Sequence, residues 1–292
     1  MQSRILVPLD GSAYAEEMLP YAKGIASSTG ARLTLLRVVG DEGKMPEARK
    51  HIEALTRDLD AEGKVLLAQT DVASAILAEA SRDPPALVAM SSHGRTGLLE
   101  VLLGSVALGV VRNPGQPILI YRPRGNSKEK LGTAPKIERV VLPLNGSAFS
   151  ESMIPAAVEM ANSLKAHLVL VHVVSPDVRV PPGIPAGDVL ESSYVRSQAK
   201  GIETTYGFRP DWDVLHGQPA DAICRYVEGQ RDTILAMSSH SRGGLKRTVF
   251  GSVTSECLRR LGTPLLVLWP ECHGEASSRT WESNAARAAS SR

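Results

Sequence analysis

A segment of sixteen residues that occurs twice is the feature that most constrains the fold. Residues 90–105 read MSSHGRTGLLEVLLGS, and residues 237–252, which lie 147 positions later, read MSSHSRGGLKRTVFGS. Each copy follows a short apolar run and ends in Gly-Ser, directly before another apolar run. This order predicts a strand, then a loop, then a helix. A repeat at this distance predicts two similar domains in tandem. In each copy the loop and the start of the helix direct backbone N–H groups toward one place, which favours an anion such as phosphate.

Apolar runs alternate with helical patterns along the whole chain. Between predicted helices, the first half has five predicted strands, at 5–9, 33–39, 65–68, 86–90 and 117–121. The second half restarts at residue 140, where VVLPLNGS matches the earlier ILVPLDGS. These strands are too apolar to have a face in water, so we predict parallel sheets covered on both sides by helices. The expected fold class is α/β, with two tandem five-stranded parallel sheets as open sandwiches.

The composition also marks the expected domain boundaries. Residues 124–136 are rich in Pro, Gly, Ser, Lys and Arg, as linkers are, and they separate a first domain at 1–123 from a second at 137–270. The offset between matching residues grows from 135 to 147 within the second half, so we predict an insertion in the Pro- and Gly-rich loop at 175–187. Residues 271–292 have little to bury and are expected to form a poorly ordered tail.

Charge and cysteine content narrow the possible partners. The net charge of +2 over 292 residues argues against nucleic acid or an anionic membrane as a partner. The chain does not open on a signal peptide, and no apolar run reaches the ~18 residues that a transmembrane helix needs, so we expect a cytoplasmic protein without a membrane partner. The three cysteines have no CxxC spacing. We interpret Cys224 and Cys257 as small core residues of a reducing compartment rather than as metal ligands or a disulfide.

The VPLDGS that closes the first strand and the SSHGRTGLLEVLLGS that follows the fourth make the chain resemble the universal stress protein family. Both halves carry the resemblance, which covers nearly all of the chain except the linker and the tail. It implies a five-stranded parallel α/β domain of Rossmann-like type, similar to the adenine nucleotide alpha hydrolases. For part of the family, the resemblance also implies ATP binding through a pattern written G-x2-G-x9-G-(S/T).

The two copies depart from this pattern to different degrees. The first has Ser91 in place of the first glycine and keeps the other two glycines and the final serine. The second has Ser238 and Ser241 in place of the first two glycines. It also has Asn145 where the first half has Asp10, the acidic residue of the family at the end of the first strand. We therefore expect a nucleotide site in the first domain and a degenerate, structural copy in the second.

By this resemblance, the adenosine lies across the carboxyl ends of the first, second and fourth strands, where an open parallel sheet leaves a crevice. Asp10 accepts hydrogen bonds from the ribose or the adenine edge, and residues 38–39 contact the base. Gly94 and Gly104 let the backbone approach the phosphate oxygens, which the Ser105 hydroxyl and the next two N–H groups face. The implied nucleotide-binding residues are Pro8, Leu9, Asp10, Val38, Val39, Met90, Ser91, His93, Gly94, Gly104, Ser105, Val106 and Ala107.

Several of the motif residues also have a purely structural interpretation. Asp10 could brace the turn before the first helix, and His93 and His240 could pin their loops by hydrogen bonds. Gly104 with Ser105, and Gly251 with Ser252, could be plain helix N-caps. A metal role is not expected for the histidines, since no second ligand stands at an ordinary spacing.

We expect a universal stress protein with a regulatory or stress-protective role, in which ATP or a related adenine nucleotide binds the first domain. Mg²⁺ is expected only as the companion of a triphosphate. The alternative is a scaffold or dimerisation module of the same fold that binds no cofactor.

No catalytic residue is assigned. The sequence has no G-x4-G-K-(S/T) motif, which argues against a Walker-type ATPase, and no G-x-S-x-G motif, which argues against a nucleophilic hydrolase. Asp10 has no neighbouring acid to complete the magnesium site of a phospho-receiver domain. At most, slow ATP hydrolysis is expected. The apolar last strands of the two halves need partners, so we predict that they pair within the chain as an internal pseudo-dimer. A homodimer is a further option.

Overall fold

The computed structural model describes residues 3–82, 85–93, 102–113, 116–123, 134–175, 187–239 and 250–269. Most of the predicted linker, the predicted insertion and the predicted tail lie outside these ranges, as do Gly94, His240 and Ser241. We refer to the described residues up to 123 as the first half and to those from 134 onward as the second half.

Strands and helices alternate through both halves. The strands described are β1 Arg4–Leu9, β2 Arg32–Val39, β3 Glu62–Leu67, β4 Ala86–Ser91, β5 Ile118–Tyr121, β6 Arg139–Pro143, β7 His167–Val174, β8 Asp211–His216, β9 Thr233–Ser238 and β10 Leu265–Leu268. The helices described are α1 Ala13–Glu16, α2 Leu19–Thr29, α3 Met45–Leu59, α4 Val72–Ala80, α5 Ser105–Val111, α6 Ala148–Glu151, α7 Ile154–Leu164, α8 Gly187–Tyr206, α9 Pro219–Val227 and α10 Ser252–Arg260. A short 3-10 turn, Glu42–Lys44, precedes α3.

The strands that the structure describes form one sheet of ten, in the order β3-β2-β1-β4-β5-β10-β9-β6-β7-β8. Neighbouring strands within each half are parallel, and the α/β class with two Rossmann-like halves is confirmed. The halves meet through an antiparallel pair of their last strands, in which Ile120 lies opposite Leu265 and Ile118 lies opposite Val267. The two predicted sheets are therefore continuous within one chain.

Apolar layers cover both faces of the sheet, and each layer runs through both halves. Along β1, Ile5, Val7 and Leu9 belong to one layer, while Leu6 belongs to the other. This alternation follows from the two-residue period of a strand. The first layer packs against α1 to α3 and α7 to α8, and the second packs against α4, α5, α9 and α10.

The first predicted helix is divided into α1 and α2. Ser12 caps α1, since its side chain accepts a hydrogen bond from the N–H of Ala15. Pro20 stands near the start of α2. A proline ring clashes with the carbonyl four residues before it, here that of Glu16, so the helix cannot continue unbroken. Pro155 divides α6 from α7 in the same way.

Strand β3 begins at Glu62, three residues before the predicted start at residue 65. It lies at one edge of the sheet, and its first two residues are exposed. Strand pairing with β2 extends over these polar residues, for example between Thr34 and Glu62. An apolar pattern does not detect such a segment, because its side chains do not need burial.

Candidate functional site

A cleft of about 350 Å³ lies at the carboxyl ends of β1, β2 and β4. Parallel strands end at the same edge of a sheet, so the residues that follow them come together there. The residues that line the cleft are Pro8, Leu9, Asp10, Ala15, Leu36, Arg37, Val38, Val39, Gly40, Lys44, Val72, Ile76, Met90, Ser91, Ser92, His93, Gly104, Ser105, Val106 and Ala107. The predicted site residues are all among them, apart from Gly94, which is outside the described residues.

Asp10 braces the turn between β1 and α1 while it also lines the cleft. Its Oδ1 accepts hydrogen bonds from the backbone N–H of Ser12 at 2.9 Å and from the Ser12 hydroxyl at 2.6 Å. Gly11 lies between them with φ +79°, a left-handed conformation that favours glycine. The structural interpretation of Asp10 therefore accounts for one of its carboxylate oxygens.

Short hydrogen bonds hold the loop after β4. The Ser91 hydroxyl donates to the His93 carbonyl at 2.7 Å, and the Ser92 Oγ lies 2.9 Å from the His93 Nδ1. The Ser92 N–H donates to the Tyr121 carbonyl at 2.7 Å, and the Gly104 N–H donates to the Ser92 carbonyl at 2.8 Å. These contacts fix the end of β4 against β5 and against the start of α5. The hydrogen bonds of His93 within this loop are those that its structural interpretation requires.

Gly104 is the N-cap of α5, with φ −65° and ψ 161°. This conformation is open to any residue, and a Cβ added to Gly104 would lie 3.6 Å from the Ser92 carbonyl oxygen, an ordinary contact. The first turn of α5 contains no acidic residue. The first N–H groups of a helix have no acceptor within the helix, and here they belong to residues that line the cleft, including Val106 and Ala107. The fold therefore does not itself require a glycine at position 104.

Two basic residues of the cleft were not predicted. Arg37 lies within the apolar strand β2 and is 9% exposed. Its guanidinium packs against Gly11, since a Cβ on Gly11 would lie only 2.3 Å from the Arg37 Nη1. Lys44 ends the 3-10 turn, which the Asp41 side chain caps through the N–H of Gly43 at 2.9 Å. The available signal for Arg37 was a single charged residue in the largely apolar run at 33–39. Both Arg37 and Lys44 bring positive charge to the cleft.

The second half repeats the backbone frame of this cleft. The Asn145 Oδ1 accepts hydrogen bonds from the N–H of Ser147 at 3.0 Å and from its hydroxyl at 2.5 Å, as Asp10 does from Ser12. Gly251 caps α10 with φ −63° and donates its N–H to the Ser239 carbonyl at 2.7 Å. The frame of turns and caps is thus the same in both halves.

The side chains on that frame differ. The sixth residue of β2 is Arg37, and the sixth residue of β7 is His172. The His172 Nδ1 lies 2.7 Å from the Leu144 carbonyl oxygen, and its ring is 5.5 Å from the Tyr194 ring in an edge contact. The Tyr194 hydroxyl donates to Glu151 at 2.8 Å. A ring cluster in the second half therefore replaces the guanidinium of the first.

The fold and the cleft define a tandem protein of two Rossmann-like α/β domains. The sequence profile of the universal stress protein family matches residues 1–122 and 136–268, and the chain therefore belongs to this family.

The relatives agree with this assignment. A universal stress protein of Mycolicibacterium smegmatis is 25% identical over 295 residues, which cover 91% of this chain and 97% of the relative. One of Mycobacterium tuberculosis is 28% identical over 185 residues, and this match spans 61% of the length of that relative. The crystal structure of a universal stress protein from Archaeoglobus fulgidus has a TM-score of 0.67 at 19% identity, over 93% of this chain and 100% of that one. At this identity the structural likeness establishes the fold. Of the helices described here, none has both the length and the apolar character of a bilayer-spanning segment.

Proposed function

We propose that the first half binds ATP or a related adenine nucleotide, and that the protein has a regulatory or stress-protective role in the cytoplasm. One observation carries the proposal. A carboxylate, an apolar strand end and a helix start with a serine converge on a single cleft in the first half. Its volume of about 350 Å³ lies within the range of small-molecule sites, and its place at the carboxyl ends of parallel strands is where such folds bind ligands.

The lining supplies a partner for each part of a nucleotide. Val38, Val39 and Met90 offer apolar surface to the base, and the Asp10 carboxylate offers an acceptor to a ribose hydroxyl or the adenine amino group. The Ser105 hydroxyl and the first N–H groups of α5 offer donors to phosphate oxygens.

Arg37 and Lys44 add the positive charge that a polyphosphate requires. Mg²⁺ would enter only with a bound triphosphate, and within the described residues no group of three or more His, Cys, Asp or Glu side chains offers a metal site of its own. The proposal includes no catalytic step.

The test is calorimetric titration of ATP with Mg²⁺ into the purified chain and into its Gly104→Val and Gly251→Val variants. Both glycines are N-caps with closely similar extended conformations, which valine also adopts, so the two variants are matched controls for the fold. We expect saturable binding at one site per chain, lost in Gly104→Val and retained in Gly251→Val. Circular dichroism of each variant checks that the fold is intact.

The alternative function is a scaffold or dimerisation module without a ligand. This alternative is favoured by the hydrogen bonds that the Asp10 Oδ1 and the Gly104 N–H already make within the fold, to Ser12 and to the Ser92 carbonyl. Absence of binding to the wild-type chain would overturn the nucleotide proposal in favour of this alternative. Sedimentation velocity would then determine whether the chain forms a homodimer, which the scaffold interpretation predicts.

A further inference from the structure

The second half contains two buried thiols that take no part in the cleft. Cys224 lies on α9 and Cys257 on α10, where they are 2% and 0% exposed, and their Sγ atoms are 3.9 Å apart. Both cysteines are free. The first half has aliphatic residues at the corresponding positions, Leu77 as the sixth residue of α4 and Val110 as the sixth of α5. The same helix contact is therefore apolar in one half and a dithiol in the other.

We propose that Cys224 and Cys257 form a reversible disulfide when a peroxide oxidises the protein, so that the contact between α9 and α10 is a redox modification site. The two sulfurs already touch across the helix contact, and they need to approach by only about 2 Å to reach a disulfide bond length of about 2.05 Å. A rotation of the side chains supplies part of this movement.

Each thiol lies one turn along its helix from a member of an exposed ion pair. Asp221 precedes Cys224 by one turn, Arg260 follows Cys257 by one turn, and the two form an ion pair at the protein surface. In a reducing compartment the two cysteines stay reduced as a dithiol. Disulfides that form in such a compartment are usually transient and respond to oxidant.

The two cysteines are not equivalent in reactivity. Their mutual hydrogen bond, with a contribution from the charge of Arg260, lowers the pKa of the Cys224 thiol in spite of its burial. The same hydrogen bond, together with burial, raises the pKa of the Cys257 thiol. The thiolate is the nucleophile in these reactions. Cys224 is therefore the residue that attacks, and Cys257 is the residue that resolves.

The reaction balances with one peroxide for each disulfide. The Cys224 thiolate attacks one peroxide oxygen, the O–O bond breaks, and hydroxide leaves, which gives a sulfenic acid at Cys224. The Cys257 sulfur then attacks the Cys224 sulfur, the S–O bond breaks, and water leaves with the proton of the Cys257 thiol. The protein loses two protons and two electrons, and the peroxide is reduced to two molecules of water. A dithiol reductant reverses the change.

The experiment uses the full chain with Cys272→Ser, because Cys272 is the remaining cysteine. The reduced protein is treated with hydrogen peroxide, alkylated in denaturant and analysed by mass spectrometry before and after proteolysis. We expect an intact mass lower by two hydrogen atoms, no alkylation, and a cross-linked peptide that joins Cys224 to Cys257. Dithiothreitol should restore two alkylated cysteines.

Two variants sharpen the assignment. Cys224→Leu with Cys257→Val installs the residues of the first half at both positions, and this variant should show no loss of mass with peroxide. Cys257→Ser alone removes the resolving thiol and keeps a hydroxyl that can donate a hydrogen bond to the Cys224 thiolate, so a dimedone adduct should accumulate on Cys224. Two alkylated cysteines after peroxide treatment of the Cys272→Ser chain would overturn the proposal, and so would sulfinic acid without a cross-linked peptide. Neither of these two outcomes depends on the variants at positions 224 and 257 being folded.

Discussion

The two halves of the molecule share their backbone frame and differ in where their charges lie. Asp10 and Asn145 brace equivalent turns, each through its Oδ1. Gly104 and Gly251 cap equivalent helices, and each donates its N–H to the carbonyl of the equivalent serine, Ser92 or Ser239. Position 37, by contrast, is a buried arginine in the first half, and its counterpart is a histidine. The motif that occurs twice therefore supports the fold in both halves. The proposed difference between a ligand site and a structural copy depends on the residues that differ between the halves.

A second difference lies at the other end of the sheet. In the first half the Glu79 carboxylate is buried and accepts hydrogen bonds from Lys64 at 2.7 Å and from Arg4 at 3.0 Å, with Arg82 at 3.1 Å. Burial acts to raise the pKa of Glu79, but the hydrogen bonds from Lys64 and Arg4 and the nearby positive charges lower it below its ordinary value. The eighth residue of α9, which corresponds to Glu79, is Tyr226.

Tyr226 has a different set of neighbours. Burial raises the pKa of its hydroxyl, and the carboxylate of Asp213 raises it further, against the effect of Arg139. Asp213 is the third residue of β8, as Lys64 is of β3. Arg139 is the first residue of β6, as Arg4 is of β1, so each pair occupies equivalent positions in the two halves. The first half thus buries the Glu79 carboxylate among positively charged side chains. In the second half, the neutral Tyr226 hydroxyl interacts with the negatively charged Asp213 and the positively charged Arg139.

The largest expected effect is that of Glu79→Gln, which is nearly isosteric but removes the negative charge. It should lower the free energy of unfolding by about 3 kcal/mol, because Arg4 and Lys64 keep their charges without a buried partner. Tyr226→Phe, the matched change in the second half, should cost about 1 kcal/mol or less, since only a neutral hydroxyl is lost. Equilibrium urea unfolding of both variants measures the difference. Equal costs would show that the two clusters contribute alike in spite of their different charges.

The next effect tests the cleft. Asp10→Asn should weaken ATP binding roughly tenfold to hundredfold, because a hydrogen bond to a charged acceptor is lost. The fold should be unchanged, since Asn145 supports the same turn in the second half. The reverse change, Asn145→Asp, is the control and should create no second site, because His172 and Tyr194 occupy the place of the guanidinium. Titration calorimetry decides, and unaltered affinity in Asp10→Asn would limit Asp10 to its structural role.

The pH dependence of stability should separate the two charge clusters. Because the folded-state pKa of Glu79 is below its ordinary value of 4.5, its stabilisation is present above that value. It is lost as the pH falls through the folded-state pKa. The gap between the wild-type chain and Glu79→Gln in urea unfolding should therefore narrow from pH 7 toward pH 3. Tyr226→Phe should show no such narrowing over this range, and a constant gap for Glu79→Gln would contradict the assigned shift.

Much of the architecture could be predicted from the sequence, because apolar runs with Pro, Gly and Ser at their ends mark buried strands and turns. The place of the cleft was implied by the family resemblance, and it agrees with the rule that the carboxyl ends of parallel strands share one edge of the sheet. The position of the Arg37 guanidinium could not be predicted, because a charge within an apolar run does not reveal that a glycine with positive φ leaves room for it. The contact of Cys224 with Cys257 is tertiary, between helices that are separated in the sequence by β9 and by the residues on either side of it. The sequence pattern predicts that both cysteines are buried, but it does not predict the distance between their sulfur atoms.

The smallest expected effect concerns the join between the halves. Tyr21, the third residue of α2, donates its hydroxyl to the Gly262 carbonyl of the second half at 3.2 Å, and its ring lies 5.2 Å from that of Tyr121. The third residue of α7 is Ala156, so the second half returns no equivalent contact. Tyr21→Phe keeps the ring packing and removes the donor, which should lower the free energy of unfolding by about 1 kcal/mol in urea. An unchanged value would mean that the pairing of β5 with β10 and the apolar layers hold the halves together without this hydrogen bond.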